Sequence, residues 1–211
     1  MDVSEPFLED PDVKLMLRVR AGDRKSFERL FLNYSKPLMN FVRRFVGSQA
    51  VAEEVAQEVF LKVYRARGSY EPRSRFSTFL FRVATNHCLN ELRRGEHRQK
   101  IEPFDRDLET EDGLLRSEIG DPGPGPEELV QAERLSRAVE RAIGALPETQ
   151  RAALLLLRYH GQSYEEIALA LDLSVPAVKS LLNRAKTALR ERLSPYLTED
   201  PHELRRISRE D

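Results

Sequence analysis

The chain has 211 residues, 40% apolar and 33% charged, with a formal net charge of −1. That balance belongs to a folding chain of one domain or two small ones, and no apolar run approaches the ~20 residues of a membrane span. A single cysteine, Cys88, excludes an internal disulfide and fits a reducing cytoplasm, and the scattered His87, His97, His160 and His202 show no zinc-type spacing.

The opening residues, MDVSEPFLEDPD, are acidic and lack the apolar core of a secretory signal. The small net charge hides a partition. Residues 1–94 hold 17 Lys and Arg against 12 Asp and Glu, residues 95–130 hold 4 against 11, and residues 131–211 hold 13 against 12. Two neutral-to-basic segments flank an acidic one, which points towards nucleic acid as the whole-chain charge does not.

Asp10–Pro11 predicts a helix start, followed by Val13, Leu15, Met16, Leu17 and Val19 and a stop near Ala21–Gly22. Asp23 then caps a longer helix carrying Phe27, Leu30, Phe31, Tyr34, Leu38, Phe41, Val42 and Phe45 as core. Pro37 is expected to kink or restart it, and Gly47–Ser48 to end it.

Residues 49–66 predict a third helix whose inner stripe is Val51, Val55, Val59 and Val63 with Ala52, Ala56 and Phe60. A second stripe, Glu54, Gln57, Glu58 and Leu61, is acidic with an apolar tip. It suits an ordinary solvated face or a docking surface for a basic partner helix.

After a loop over residues 67–74, Ser77 and Thr78 start a helix reaching Arg94, with Phe79, Leu80, Val83, Ala84 and Leu92 turned inward. Arg82, Asn86, Asn90, Arg93 and Arg94 recur on another face, a mixture suited to base edges and phosphates together. The nearby loop interleaves Tyr64, Tyr70 and Phe76 with Arg65, Arg67, Arg73 and Arg75. Such aromatics can stack unpaired bases, or they can plug the core.

Residues 95–130 lose apolar periodicity and read as a flexible acidic linker rich in Pro and Gly. Helices are expected again over residues 126–144 and 147–159. A helix-turn-helix follows over residues 162–193. Ser163 and Glu166 form a capping box, and Ile167, Ala168 and Leu171 make the first apolar face. Ser174 caps a second helix with Pro176 in its first turn and Val178, Leu182, Ala185 and Leu189 inward. Ala168 is small where the two helices cross. Lys179, Ser180, Asn183, Arg184 and Lys186 stay outside, facing a DNA groove or simply solvent. Residues 195–211 form a charged tail.

No glycine-rich phosphate loop, catalytic triad or paired-carboxylate site appears, so no enzyme, catalytic residue, metal or cofactor is expected. His87 and Cys88 point about 100° apart on one helix, a poor start for a metal site. From these residues a DNA-binding regulator with a sensor half, or a helical protein that sequesters a partner, also remains open.

Four stretches carry a resemblance: AGDRKSFERLFLNY (residues 21–34), AEEVAQEVFLKVYRA (52–66), FSTFLFRVATNHCLNELRR (76–94) and LPETQRAALLLLRYHGQSYEEIALALDLSVPAVKSLLNRAKTALRERL (146–193). In this order and spacing the chain resembles the extracytoplasmic-function (ECF) group of bacterial RNA polymerase sigma factors. The resemblance implies an all-α chain of two small helical domains: a region-two domain over residues 1–94, a flexible linker over 95–130, and a region-four domain over 131–194. It implies core RNA polymerase and promoter DNA as partners, an anti-sigma protein as regulator, a cytoplasmic location and no membrane insertion. Glu54, Gln57 and Glu58, with Leu61 on the same stripe, would bind polymerase. Asn86, Asn90, Arg93 and Arg94, with Tyr70, Arg75 and Arg82, would contact the minus-ten DNA. Ser174, Lys179, Ser180, Asn183, Arg184 and Lys186 would serve the minus-thirty-five element. Phe79 stands where the family usually has tryptophan, Asp172 where it has a turn glycine, Pro176–Ala177 for Gly-Thr, and Leu181 for arginine. Aspartate at 172 is expected to accept the left-handed conformation.

Overall fold

A computed structural model describes residues 7–98 and 126–197 of the chain. Eight helices account for nearly all of them, with no strand among the described residues: α1 Pro11–Arg20, α2 Arg24–Val46, α3 Gln49–Arg65, α4 Phe76–Arg98, α5 Pro126–Gly144, α6 Glu148–His160, α7 Tyr164–Leu171 and α8 Val175–Leu197. A 3-10 turn, Ala66–Ser69, occupies the start of the expected loop between α3 and α4.

Local chemistry sets most of the boundaries. Asp10 accepts from the Asp12 and Val13 amides at 2.8 and 3.3 Å, and Asp23 from Lys25 and Ser26 at 3.0 and 3.4 Å. These side chains satisfy amide donors that a first helical turn leaves open. Gly47 closes α2 in the left-handed region at φ 79°, where glycine carries no Cβ penalty. Pro37, expected to kink or restart α2, lies inside a helix that runs from Arg24 to Val46 without a restart. Its missing amide removes one bond, while Leu38, Phe41, Val42 and Phe45 anchor the following turns in the core.

In the first half, α1 packs on α2, and α2 and α4 each pack on α3. The Tyr34 hydroxyl ties α2 to α1 by donating to Asp12 at 2.6 Å, and Arg20 donates to the Tyr70 carbonyl at 3.1 Å. Helix α4 begins at Phe76 and runs to Arg98. Ser77 and Thr78, expected to start it, lie inside its first turn, and the helix enters the segment assigned to linker. Residues 99–125 of that linker fall outside the described residues, as do 198–211 of the expected tail, while 126–130, also assigned to linker, lie in the first turns of α5.

In the second half, α5, α6 and α7 pack on α8. The halves also pack on each other, α4 against α7 and α2 against α5 and α6, so their buried side chains form one cluster. Phe41, Phe45, Phe81, Leu155, Leu156 and Ile167 are among its fully enclosed members. Two expected core positions face outwards instead: Phe31 is 44% exposed and Val51 37%.

Candidate nucleic-acid and partner interfaces

The α3 stripe begins with a Ser48-capped helix whose buried side is Ala52, Val55, Ala56, Val59, Phe60 and Val63. With that side turned inward, Glu54 and Gln57 are exposed, Glu58 is half-buried and Leu61 is 45% exposed. Phe31 rests its ring on Phe60 at 4.8 Å between centroids, and the next residue, Leu32, is 72% exposed. An acidic stripe beside exposed apolar side chains suits a basic amphipathic helix. Phe31 and Leu32 were not expected there. Leu32 lies off the apolar period of α2, which is the signal that could have found it.

On α4 the inward residues are Phe76, Leu80, Phe81, Ala84 and Cys88, all buried. Their helical opposites Arg82, Asn86, Asn90 and Arg93 are each exposed, and this stripe contains no carboxylate. The Arg82 guanidinium lies 5.8 Å from the Phe79 ring centre. The side chain of Arg94 lies outside the described residues. Two amides between guanidinium groups can pair with base edges while the flanking charges meet phosphate.

The loop before α4 is arranged differently from a base-stacking platform. Phe76 is fully buried, and Tyr70 is 4% exposed with its ring against Phe79 at 5.2 Å. Burial, with the Asp10 charge, pushes the Tyr70 phenol up to about 12. Tyr64 is half-buried under the Arg67 guanidinium, 4.2 Å from its ring centre. These aromatics plug the core, because α1, α3 and α4 converge on the loop. Of the loop's arginines, Arg73 pairs with Glu71, while Arg75 stays exposed with its Nε 3.7 Å from Glu166 Oε1.

The helix-turn-helix forms as its caps dictate. Ser163 Oγ accepts the Glu166 amide at 3.2 Å, and Glu166 Oε2 accepts the Ser163 amide at 2.9 Å. Asp172 takes the turn position in the left-handed region at φ 55°. Its short carboxylate side chain tolerates that conformation better than a branched one would. Ala168 is buried, and its carbonyl accepts the Leu173 amide at 2.9 Å. Ser174 Oγ accepts the Ala177 amide at 3.4 Å, and Val178, Leu182 and Ala185 are buried. The opposite face presents Pro176, Lys179, Ser180, Asn183, Arg184 and Lys186, all exposed. Arg184 donates to Ser180 Oγ at 2.8 Å, and Lys179 lies 5.9 Å from the Tyr164 ring centre.

Cys88 is fully buried, and desolvation pushes its thiol up to about 12. Among the described residues no group of three or more His, Cys, Asp or Glu could hold a metal ion, and no helix is long and apolar enough to cross a membrane.

Known proteins align with this arrangement. The family model for Sigma-70 region 2 matches residues 30–98, and that for Sigma-70, region 4, matches residues 136–189. The RNA polymerase sigma-H factor of Pseudomonas aeruginosa is 35% identical over 196 residues, covering 90% of this chain and 98% of that protein. The ECF RNA polymerase sigma-E factor of Escherichia coli is 36% identical over 189 residues, covering 88% and 96%. Two solved structures share the fold. CnrH, in complex with the cytosolic domain of CnrY, has a TM-score of 0.64 at 23% identity over 88% of this chain and 99% of that one. The sigma factor RpoE, in complex with the anti-sigma factor NepR from Bartonella quintana, has a TM-score of 0.59 at 21% identity over 81% and 98%. With both region models matched in order and relatives above one-third identity along most of its length, the chain belongs to the ECF RNA polymerase sigma factors, transcription initiation factors that bind core RNA polymerase and promoter DNA.

Proposed function

We propose a division of labour within this sigma factor. Residues 1–94 dock on polymerase through Glu54, Gln57, Glu58 and Leu61, and they engage the minus-ten DNA through Arg75, Arg82, Asn86, Asn90, Arg93 and Arg94. Residues 131–194 address the minus-thirty-five element through Ser174, Lys179, Ser180, Asn183, Arg184 and Lys186. The acidic stretch 95–130 connects them, and residues 195–211 trail the second domain. Tyr70 serves the first domain by fixing the loop that carries Arg75, since its ring is enclosed.

The observation that carries this reading is the exposed Arg82–Asn86–Asn90–Arg93 face, free of carboxylates, on a helix that also buries Phe81, Ala84 and Cys88. Glu54→Arg tests the docking assignment. Glu54 is exposed, so the fold should survive while retention of purified core polymerase falls about tenfold or more. Unchanged retention would remove the α3 stripe from the docking surface.

We infer also that a cytoplasmic anti-sigma protein holds the factor inactive. Support comes from the two solved relatives, which were captured with the cytosolic domain of CnrY and with the anti-sigma factor NepR. The exposed Phe31, Leu32 and Leu61 offer such a protein apolar anchors. A stoichiometric partner that blocks transcription by the wild type should lose its hold on Leu32→Asp; full inhibition of that variant would sink the assignment.

A further inference from the structure

The two halves meet at a seam that joins the minus-ten helix to the helix-turn-helix. Thr78 Oγ1 on α4 donates to Glu166 Oε1 on α7 at 3.0 Å, and Arg75 Nε lies 3.7 Å from the same oxygen. Glu166 Oε2 meanwhile accepts the Ser163 amide in the capping box. One carboxylate thus starts the first helix of the helix-turn-helix and grips the first turn of α4. It is mostly enclosed, with 19% of its side chain exposed, whereas Arg75 remains 66% exposed and reachable from solvent.

Closure and promoter reading make opposite demands. Elements named for positions ten and thirty-five lie on the order of 80 Å apart on B-form DNA, at about 34 Å per turn. Thr78 and Glu166 are in hydrogen-bond contact, and Asn86 lies only about 12 Å along α4 from Thr78. The seam must therefore part before both elements are read. Its polar content favours parting: the His160 Nε2, on an imidazole stacked against Phe81 of α4, is buried without a hydrogen-bond partner among the described residues. Water restores that bond on opening.

We propose that Glu166 is an internal competitor for Arg75: its carboxylate takes the place of a strand phosphate at Arg75, so that closure and capture of the minus-ten strand exclude each other. This rests on the assignment of Arg75 to the minus-ten strand. Glutamate suits the role because its oxygen accepts the Thr78 hydroxyl while its charge pairs with the Arg75 guanidinium 3.7 Å away, as a phosphate could do with both. The contact is partly solvated and modest, so a polyanion with several phosphates can displace it.

The test uses the full chain labelled at Arg24→Cys and Arg190→Cys, two exposed positions in opposite halves, the buried Cys88 being out of reach of the label. Spin-label distances are measured with and without a twelve-residue oligothymidylate. The wild type should give a short distance that lengthens with the oligonucleotide. Glu166→Gln preserves the size and capping acceptor but removes the charge. It should populate the long distance unaided and bind the oligonucleotide about three- to tenfold tighter. Thr78→Val, which leaves the capping box alone, should move both readouts the same way. Short distances and unchanged affinity in both variants would overturn the competition while leaving strand binding intact. Opening without oligonucleotide binding by any form would overturn it too, by removing Arg75 from the strand interface.

Discussion

The His160 imidazole lies on the Phe81 ring with centroids 3.7 Å apart, joining the end of α6 to α4 across the seam. Phe41 closes another side of the imidazole at 5.4 Å. Burial, and secondarily the Arg44 charge, pulls His160 down to about 4 from its ordinary 6.5. The closed form therefore binds fewer protons than a state in which His160 is solvated. The seam's stability is complete above about pH 6.5 and is lost as pH falls from there towards about 4. Between pH 7 and pH 5 the loss should be roughly 1–2 kcal/mol. Interdomain distances should lengthen on acidification in the wild type and much less in His160→Phe, which keeps a ring against Phe81. An equal pH response in both would remove His160 as the cause.

Arg151 should be the costliest single side chain at the seam. Its guanidinium donates to the carbonyls of Phe45, Gly144 and Leu146, at the ends of α2 and α5 and in the following turn. Those carbonyls lie where helix ends lack internal partners. Arg151→Met keeps much of the volume but strands the acceptors, so stability should fall by about 2–4 kcal/mol in denaturant unfolding. A loss below about 1 kcal/mol would mean that water replaces the guanidinium without difficulty.

Asp172 holds the turn of the helix-turn-helix at φ 55° with no special backbone freedom. Asp172→Gly relieves the Cβ strain and should raise the thermal midpoint, by about 0.5–1 kcal/mol of stability. Destabilisation would show that the aspartate side chain contributes more than its backbone strain removes.

Much of this was legible because it is local. Caps at Asp10, Asp23 and Ser163, the stop at Gly47 and the left-handed Asp172 all follow from residues within four positions of one another. The exposed faces of α4 and α8 followed from their helical period. The seam did not, because Thr78 and Glu166 are 88 positions apart, and Arg151 and Phe45 are 106 apart. Glu166 in particular was already explained by its capping box, so nothing local hinted at a second partner. Phe31 and Val51 failed for a related reason: hydrophobic period marks a face, but which part of that face is covered depends on where distant helices end.

Asn86 and Lys179 should separate the two DNA tasks. Asn86→Ala should leave initial promoter binding within about twofold while suppressing permanganate reactivity of the minus-ten thymines. Lys179→Ala should instead weaken binding before opening, across all sequences if it meets phosphate and selectively if it meets a base. Normal thymine reactivity in Asn86→Ala would take that residue out of strand opening.

Run-off transcription from a library of randomised promoters, with purified core polymerase and this chain, bears most directly on the account. RNA 5′ ends should map to start sites absent with core polymerase alone. Those sites should share two upstream elements, and Asn86→Ala and Lys179→Ala should each deplete them. Start sites identical to those of core polymerase alone would contradict the account.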